Sequence, residues 1–344
     1  KMFPVYGRNL DFDFDLFAAT FYMVSRYEEY LPHREDEHGR FVTADSLAAS
    51  TGFLDQPVVD QWAAMLATMI CGRWPDGMVR RPHYRFVQTV DIDAAWCYRY
   101  KGLFRTFIGT LRDAIWRHDW EEVRRRYRVL AGRENDPFDT FDYILDLNRR
   151  SRDTYLIFFS LLADYGQYDK PVAYHNAHHR ELLQHLGDYA KVGIHPGYMT
   201  SEHRLEDILH RAIVRSRYHF LRLRLPESYR SLAHAGIRHD YTMGFHDAVG
   251  FRAGVSSPYP FYDLERDMET TLTVHPFCVM DTTLQKYLAL SPDDALATYR
   301  RLVDTVRAVG GTFCCIVHNQ NLCELFGWQG WRSVYEKMID YAKP

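Results

Sequence analysis

The chain has 344 residues, long for one compact unit and suited to a large barrel, or a barrel with a smaller domain. Hydrophobic residues at 47% and charged residues at 25% exclude a disordered or fibrous protein. The 42 basic and 45 acidic residues leave a net charge of −3, so no basic excess exists to drive nucleic-acid binding through phosphate neutralisation.

In chain order, the first helical pattern lies within residues 11–31, where Leu16, Thr20, Met23, Tyr27 and Leu31 recur at helical spacing. A charged loop from His33 to Arg40 follows. Asp55, with Pro57 close behind, opens a second helix through Trp62, Met65 and Met69, and the Gly72–Gly77 stretch breaks it. A boundary is expected near residue 80, which gives a small, mainly helical N-terminal domain at 1–80 and a second domain at 81–344.

Beyond that boundary the period shortens. Apolar or β-branched runs occur at Tyr84–Ile92, Tyr155–Phe159, Val192–His195, His219–Leu223, Ile237–Met243, Leu272–His275 and Thr312–His318. Helical stretches lie between most of them, among them Phe138–Arg150, Glu202–Arg217 and Pro292–Val309. The basic run Arg124-Arg125-Arg126 reads as a solvated helix face. Strands alternating with helices predict an α/β fold with a parallel sheet, and seven strand candidates suggest a closed or nearly closed barrel. Several runs end in Asp or His, and the carboxyl ends of such strands are where active sites form.

The cysteines (Cys71, Cys97, Cys278, Cys314, Cys315, Cys323) show no paired metal-binding spacing. Adjacent Cys314 and Cys315 in an apolar run read as buried strand thiols, which suits a reducing compartment. No run of ~18 apolar residues predicts a membrane span and no signal segment is evident, so a cytoplasmic location is the expectation. Aromatics reach 15%, enough to build sugar-stacking platforms or simply a large core.

Four groups of residues could carry chemistry. Thr89-Val90-Asp91-Ile92-Asp93 places two carboxylates on one face of a strand, where they repel unless a cation or proton lies between them. His195, followed by Pro196-Gly197, closes an apolar strand at a sharp turn, and imidazole is the commonest ligand for zinc-like metals. His318 closes the last strand and could act as a general acid. Arg252, flanked by Gly250 and Gly254, could orient a carboxylate bidentately. Each signal alone also fits a capping, structural or surface role.

Their order along the chain resembles that of the polysaccharide deacetylase (NodB-homology, carbohydrate esterase family 4) superfamily, over roughly residues 84–320. Thr89, Asp91 and Asp93 resemble its first motif, with a base and a metal-binding Asp. His195 resembles the first His of its His-x-x-x-His metal motif, Arg252 its Arg motif, and Ile316-Val317-His318 its last. The Phe21–Tyr30, Gly193–Pro196, Met280–Leu284 and His318-Asn319 stretches are similar to a branch from Bacteroidetes-type bacteria with a short N-terminal helical domain. The resemblance implies a distorted (β/α)7-type barrel and a metal-dependent hydrolase that removes N-acetyl groups from a sugar or polysaccharide. Asp91 is then the base, His318 the acid, Arg252 the orienting group, and Asp93 and His195 ligands of one divalent ion, zinc for preference. Trp96, Tyr98 and Tyr198 are candidate stacking surfaces for the carbohydrate.

Two departures from the motifs bear on this. Ile92 splits the Asp pair, and Met199, a poor ligand for such an ion, stands where the second motif His belongs. His175, His178, His179 and His203 are nearby substitutes. The rival expectations are a non-catalytic glycan-binding barrel, or a glycoside hydrolase pairing Asp91 with a carboxylate about 5–10 Å away.

Overall fold

A computed structural model describes residues 2–6, 11–75, 79–80, 82–151, 154–198 and 205–344. In the N-terminal part, the Asp15 carboxylate accepts from the Phe17 and Ala18 amides and so starts α1 (Leu16–Val24), which buries Leu16, Ala19 and Met23. The expected helix through Leu31 stops early because Arg26 adopts a left-handed conformation, φ 56°, leaving a single turn at Tyr27–Tyr30. Ser46 caps the short α2 (Leu47–Ser50), and Pro57 precedes α3 (Val58–Arg73).

The remainder alternates as expected. It runs β1 (Arg85–Ile92), α4 (Gly102–Leu111), α5 (Trp120–Leu130), α6 (Phe141–Arg150), β2 (Tyr155–Leu161), α7 (Ala177–Tyr189) and β3 (Lys191–His195). Then come α8 (Glu206–Leu209), β4 (Arg215–Ser216), α9 (Glu227–His234), β5 (His239–Asp240), β6 (Tyr259–Asp263), β7 (Met268–Val274) and β8 (Val279–Met280). The chain closes with α10 (Pro292–Ala308), β9 (Thr312–His318) and α11 (Trp331–Ala342).

The nine strands form one sheet in the order β6-β7-β5-β4-β3-β2-β1-β9-β8, parallel throughout except for β6 against β7. Residues 268–280 touch both ends of the parallel part. The β7 half pairs with β5, the β8 half pairs with β9, and between them the Phe277 amide donates to the Met243 carbonyl at 3.0 Å.

Two expected elements fall differently. The expected strand at His219–Leu223 is a tight turn, and the strand of this region is β4, just before it. The expected helix Glu202–Arg217 shrinks, among the described residues, to α8, because Arg215 and Ser216 pair with β3 and β5 instead.

Alternation along the central strands separates two cores. Phe86, Val90 and Ile92 of β1 pack with Phe158, Phe313 and Val317 against Ile144, Leu183, Leu302 and Met338 of the surrounding helices. On the other face Val87 packs with Ile157, Phe159, Tyr241, Phe277, Cys314 and Ile316. Each fully buried aliphatic or aromatic side chain contributes about 1.5–3 kcal/mol, so these two clusters dominate stability. All six cysteines are free thiols, with Cys314 and Cys315 buried in β9.

The N-terminal part lies against the loop after β5. Phe251 donates its amide to the Leu54 carbonyl and Val59 donates to the Gly254 carbonyl, both at 2.8 Å. Asp60 accepts from the amide and hydroxyl of Ser256. Gly250, at φ 131°, brings its backbone so close to the Leu54 carbonyl that no Cβ would fit. Met23 and Val59 join Leu223, Met243 and Ala253 in a third core.

Candidate active site

Period-two alternation carries Thr89, Asp91 and Asp93 to the end of one face of β1, beside His318, which pairs with Asp91 across the β1–β9 ladder. Gly193 sits under the Phe159 ring, where a Cβ would stand 2.7 Å from it, so β3 passes close enough to bring His195 to the same layer.

Asp91 is buried and ion-paired. Arg217, fully buried one residue beyond β4, donates from Nη1 to Asp91 Oδ1 at 2.7 Å and to Thr89 Oγ1 at 2.7 Å. Its Nε donates to the Tyr241 carbonyl at 2.9 Å, and its guanidinium lies 4.6 Å from the Phe159 ring centre. Four fixed partners leave Arg217 one position and orient the Asp91 carboxylate, whose Oδ2 faces His195 Nε2 at 3.9 Å.

Asp93, His195 and His219 converge, with one donor atom from each lying within 4.8 Å of the others. His195 Nε2 is 3.4 Å and His219 Nε2 3.7 Å from Asp93 Oδ1, a buried oxygen with no hydrogen-bond donor. The other ring nitrogens are committed. His195 Nδ1 donates to the Arg217 carbonyl at 2.6 Å, and His219 Nδ1 contacts Asp169 Oδ1 at 2.8 Å. A carbonyl only accepts, so the proton of neutral His195 is on Nδ1 and its Nε2 lone pair points at Asp93. Two imidazoles with supporting partners and an unpaired carboxylate oxygen make a candidate divalent-cation site with one open side. Burial raises the Asp93 pKa, but with no cation bound the imidazoles of His219, His195 and His318, when protonated, outweigh it and hold the carboxyl well below its usual range.

Backbone geometry at the rim serves these contacts. At Gly197 a Cβ would stand 2.5 Å from Asp169 Oδ2, so glycine admits the carboxylate that also accepts from the Tyr198 amide and reaches His219. His219 itself precedes Phe220 and Leu221, both left-handed at φ 58° and 55°. Non-glycine residues hold that conformation only where the surroundings impose it.

His318 faces the pair from β9. Its Nδ1 bonds Asp281 Oδ1 at 2.7 Å, its amide donates to Asp281 Oδ2 at 2.8 Å, and its Nε2 lies 3.7 Å from Asp93 Oδ2. Asn321 holds Asp281 from behind at 2.9 Å. Burial lowers the His318 pKa, but Asp281 first, then Asp93 and Asp91, push it up to about 10. This imidazole is therefore charged at neutral pH and can deliver a proton.

These residues border a cavity of about 530 Å³, walled by Phe138, Tyr218, Phe220, Tyr287, Phe326 and Trp328. Arg40 reaches it from the N-terminal part, held by Asp36 at 2.7 Å and the Phe220 carbonyl at 2.9 Å.

The structure brings together Asp91, Asp93, His195 and His318, but not Arg252. Arg252 is buried away from Asp91, with Nε and Nη2 on the two oxygens of Glu29 at 2.8 and 2.7 Å and Nη1 on the Gly244 carbonyl. The guanidinium on Asp91 is that of Arg217. Among the described residues the third donor in the cluster is His219. Met199 and His203 lie outside the described residues, His178 stacks on Tyr100, and His179 is buried beside Trp96. Trp96 and Tyr98 are buried packing residues, and Tyr198 stacks on Tyr168 under Arg222. The aromatic wall of the cavity comes from other positions.

Residues 2–75 match a family of unknown function designated DUF7033. No curated protein sequence matches the chain. Among solved structures, a "putative polysaccharide deacetylase" from Mycobacterium smegmatis is 13% identical over 77% of this chain and 85% of its own, with a TM-score of 0.45. A 4-alpha-glucanotransferase from Thermococcus litoralis is also 13% identical over 77% of the chain, with a TM-score of 0.40. The aligned part is 37% of that enzyme's length.

Proposed function

We propose that the chain is a metal-dependent hydrolase that removes N-acetyl groups from a sugar or polysaccharide, on a barrel of the polysaccharide deacetylase superfamily. One observation carries this reading: the Arg217-held Asp91, the Asp93/His195/His219 donor set and His318, bonded from behind by Asp281, line one cavity.

Two imidazoles and one carboxylate with an open position are the donor set of hydrolytic zinc sites, so Asp93, His195 and His219 are the proposed ligands. When bound, the ion supplies Lewis acidity at the amide carbonyl. Asp91, through the oxygen that Arg217 leaves free, takes a proton from the attacking water. Hydroxide adds to the acetyl carbon and the C–N bond breaks. His318 gives its Nε2 proton to the departing sugar amine, and acetate is the second product. His219 offers a donor in place of the one missing from the second His motif, which favours the catalytic reading over a non-catalytic barrel.

The double pairing of residues 268–280, to β5 and to β9, supports a distorted (β/α)7-type barrel. The family match ending at residue 75 supports an N-terminal domain of residues 1–80 beside a barrel of 81–344. Acetate release from a panel of N-acetylated oligosaccharides, with zinc-loaded and metal-stripped protein, tests the reading. Zinc-dependent release supports it, and no release from zinc-loaded protein overturns it.

A further inference from the structure

The connection from β1 to β2 needs one helix to return the chain, and α6 is that helix. Residues 94–136 are an excursion from it, standing on the end of β1 that carries Asp91 and Asp93. The Asp136 carboxylate fixes the base of this excursion by accepting from the amides of Cys97, Tyr98 and Arg99 at 2.7–3.0 Å.

Helix α4, at the front of the excursion, buries none of its side chains. Leu103, Phe104, Phe107 and Ile108, with Ile115 and Trp116 in the turn that follows, are exposed at helical spacing. Leu103 is 91% and Trp116 72% exposed. An apolar stripe of this kind left in water marks an interaction surface.

Charge selects what covers it. Arg112 and Arg117, 48% and 61% exposed, lie beside the stripe, and Lys101 and Arg105 sit half-buried along the same edge, Arg105 over the Tyr165 ring. Nearby, Asp113 is fully buried and shared by Arg112, Arg117 and Arg126, at 2.8 and 3.6 Å for the first two. Arg126, expected on a solvated face, turns inward to this carboxylate. Three guanidiniums on one carboxylate leave a local positive surplus in a chain of net charge −3.

We infer that this excursion lies flat on an anionic lipid surface, with the stripe in the headgroup region and the cations on lipid phosphates. A second acidic copy of this chain offers the basic edge less than an anionic bilayer does. Docking there holds the Asp91 end of the sheet next to the bilayer. Under the reading proposed above, the glycan is then one presented at a membrane surface.

The test is flotation of the full chain with vesicles of phosphatidylcholine alone and of phosphatidylcholine mixed with phosphatidylglycerol. The expected result is binding to the mixed vesicles, weakened by salt and lowered more than about tenfold by Phe104→Asp with Phe107→Asp. Quenching of Trp116 by brominated lipid, lost in Trp116→Phe, reads insertion without relying on the double variant. No flotation of wild-type protein overturns the inference, as does equal flotation of the double variant. Self-association abolished by the double variant, without vesicle binding, assigns the stripe to a second copy and also overturns it. None of these readouts depends on acetate release, so the docking and the chemistry fail separately.

Discussion

Arg217 Nη1 donates to Asp91 Oδ1 at 2.7 Å, and both side chains are buried, with 0% and 3% of their surface exposed. Such a pair is costly to break, because the remaining charge stays in a low-dielectric site. Asp91→Asn keeps the shape and removes basicity. Acetate release is expected to fall by ~10²–10⁴ while zinc content stays near wild type. Arg217→Met leaves Asp91 unpaired, and a loss of about 3–5 kcal/mol is expected in denaturant titrations. Release that persists at full rate in Asp91→Asn removes Asp91 from the mechanism.

The donor set makes a second prediction. Protein stripped of metal and titrated with zinc or cobalt is expected to take up one ion. His219→Ala or His195→Ala should abolish stoichiometric uptake, while His175→Ala should leave it unchanged. Asp169 touches His219 Nδ1 rather than the site itself, so Asp169→Asn is expected to lower affinity by about 10–100-fold. Full uptake by His219→Ala would exclude His219 as a ligand.

The Asp281–His318 pair sets a pH dependence. His318 must be protonated to serve as the acid, and its pKa of about 10 keeps it so through neutral pH. Activity that requires this proton is lost as pH rises through that value. Asp281→Asn removes the largest contribution raising the pKa, so the alkaline limb should move to lower pH. The pH profile of kcat/KM for the two proteins measures the shift. An unmoved alkaline limb would show that Asp281 does not set the acid's proton affinity.

Much of this site can be read from the sequence, and what cannot has identifiable causes. β1 and β9 announce themselves as long apolar runs ending in Asp or His, which marks Asp91, Asp93 and His318. His219 was hidden because β4 is two residues long, too short for periodicity to separate from the helical pattern before it. The signal available was Ile213-Val214 followed by a His at the spacing of a strand end. Arg252 and Arg217 are both plausible anchors as isolated residues. Only the fold shows that Arg252 is taken by Glu29, 223 positions earlier. Asp281 lies in the Met280–Leu284 stretch that carries the branch resemblance, but its bond to His318 depends on β8 beside β9.

Glu29 itself yields the last prediction. Its carboxylate takes two bonds from Arg252 and one from Arg26, whose Nη1 also donates to the Arg252 carbonyl, and all three side chains are buried. Burial raises the Glu29 pKa, but Arg252 and Arg26 outweigh it and hold the carboxyl at about 2. The folded pKa lies below the unfolded one, so this contribution is full above the ordinary Glu range and fades as pH falls toward about 2. Glu29→Gln leaves the buried Arg252 guanidinium without its carboxylate at the junction between the N-terminal part and the Gly250–Ser256 loop, while Arg26 keeps Glu28 at 2.7 Å. A loss of about 3–5 kcal/mol is expected, with little change in zinc uptake. Removing residues 1–80 also strips Met23 and Val59 from the core they share with Leu223 and Met243, so insoluble or molten protein is expected. The melting temperature of each variant decides the matter. A truncated chain that melts at the wild-type temperature would show that the barrel does not depend on this contact.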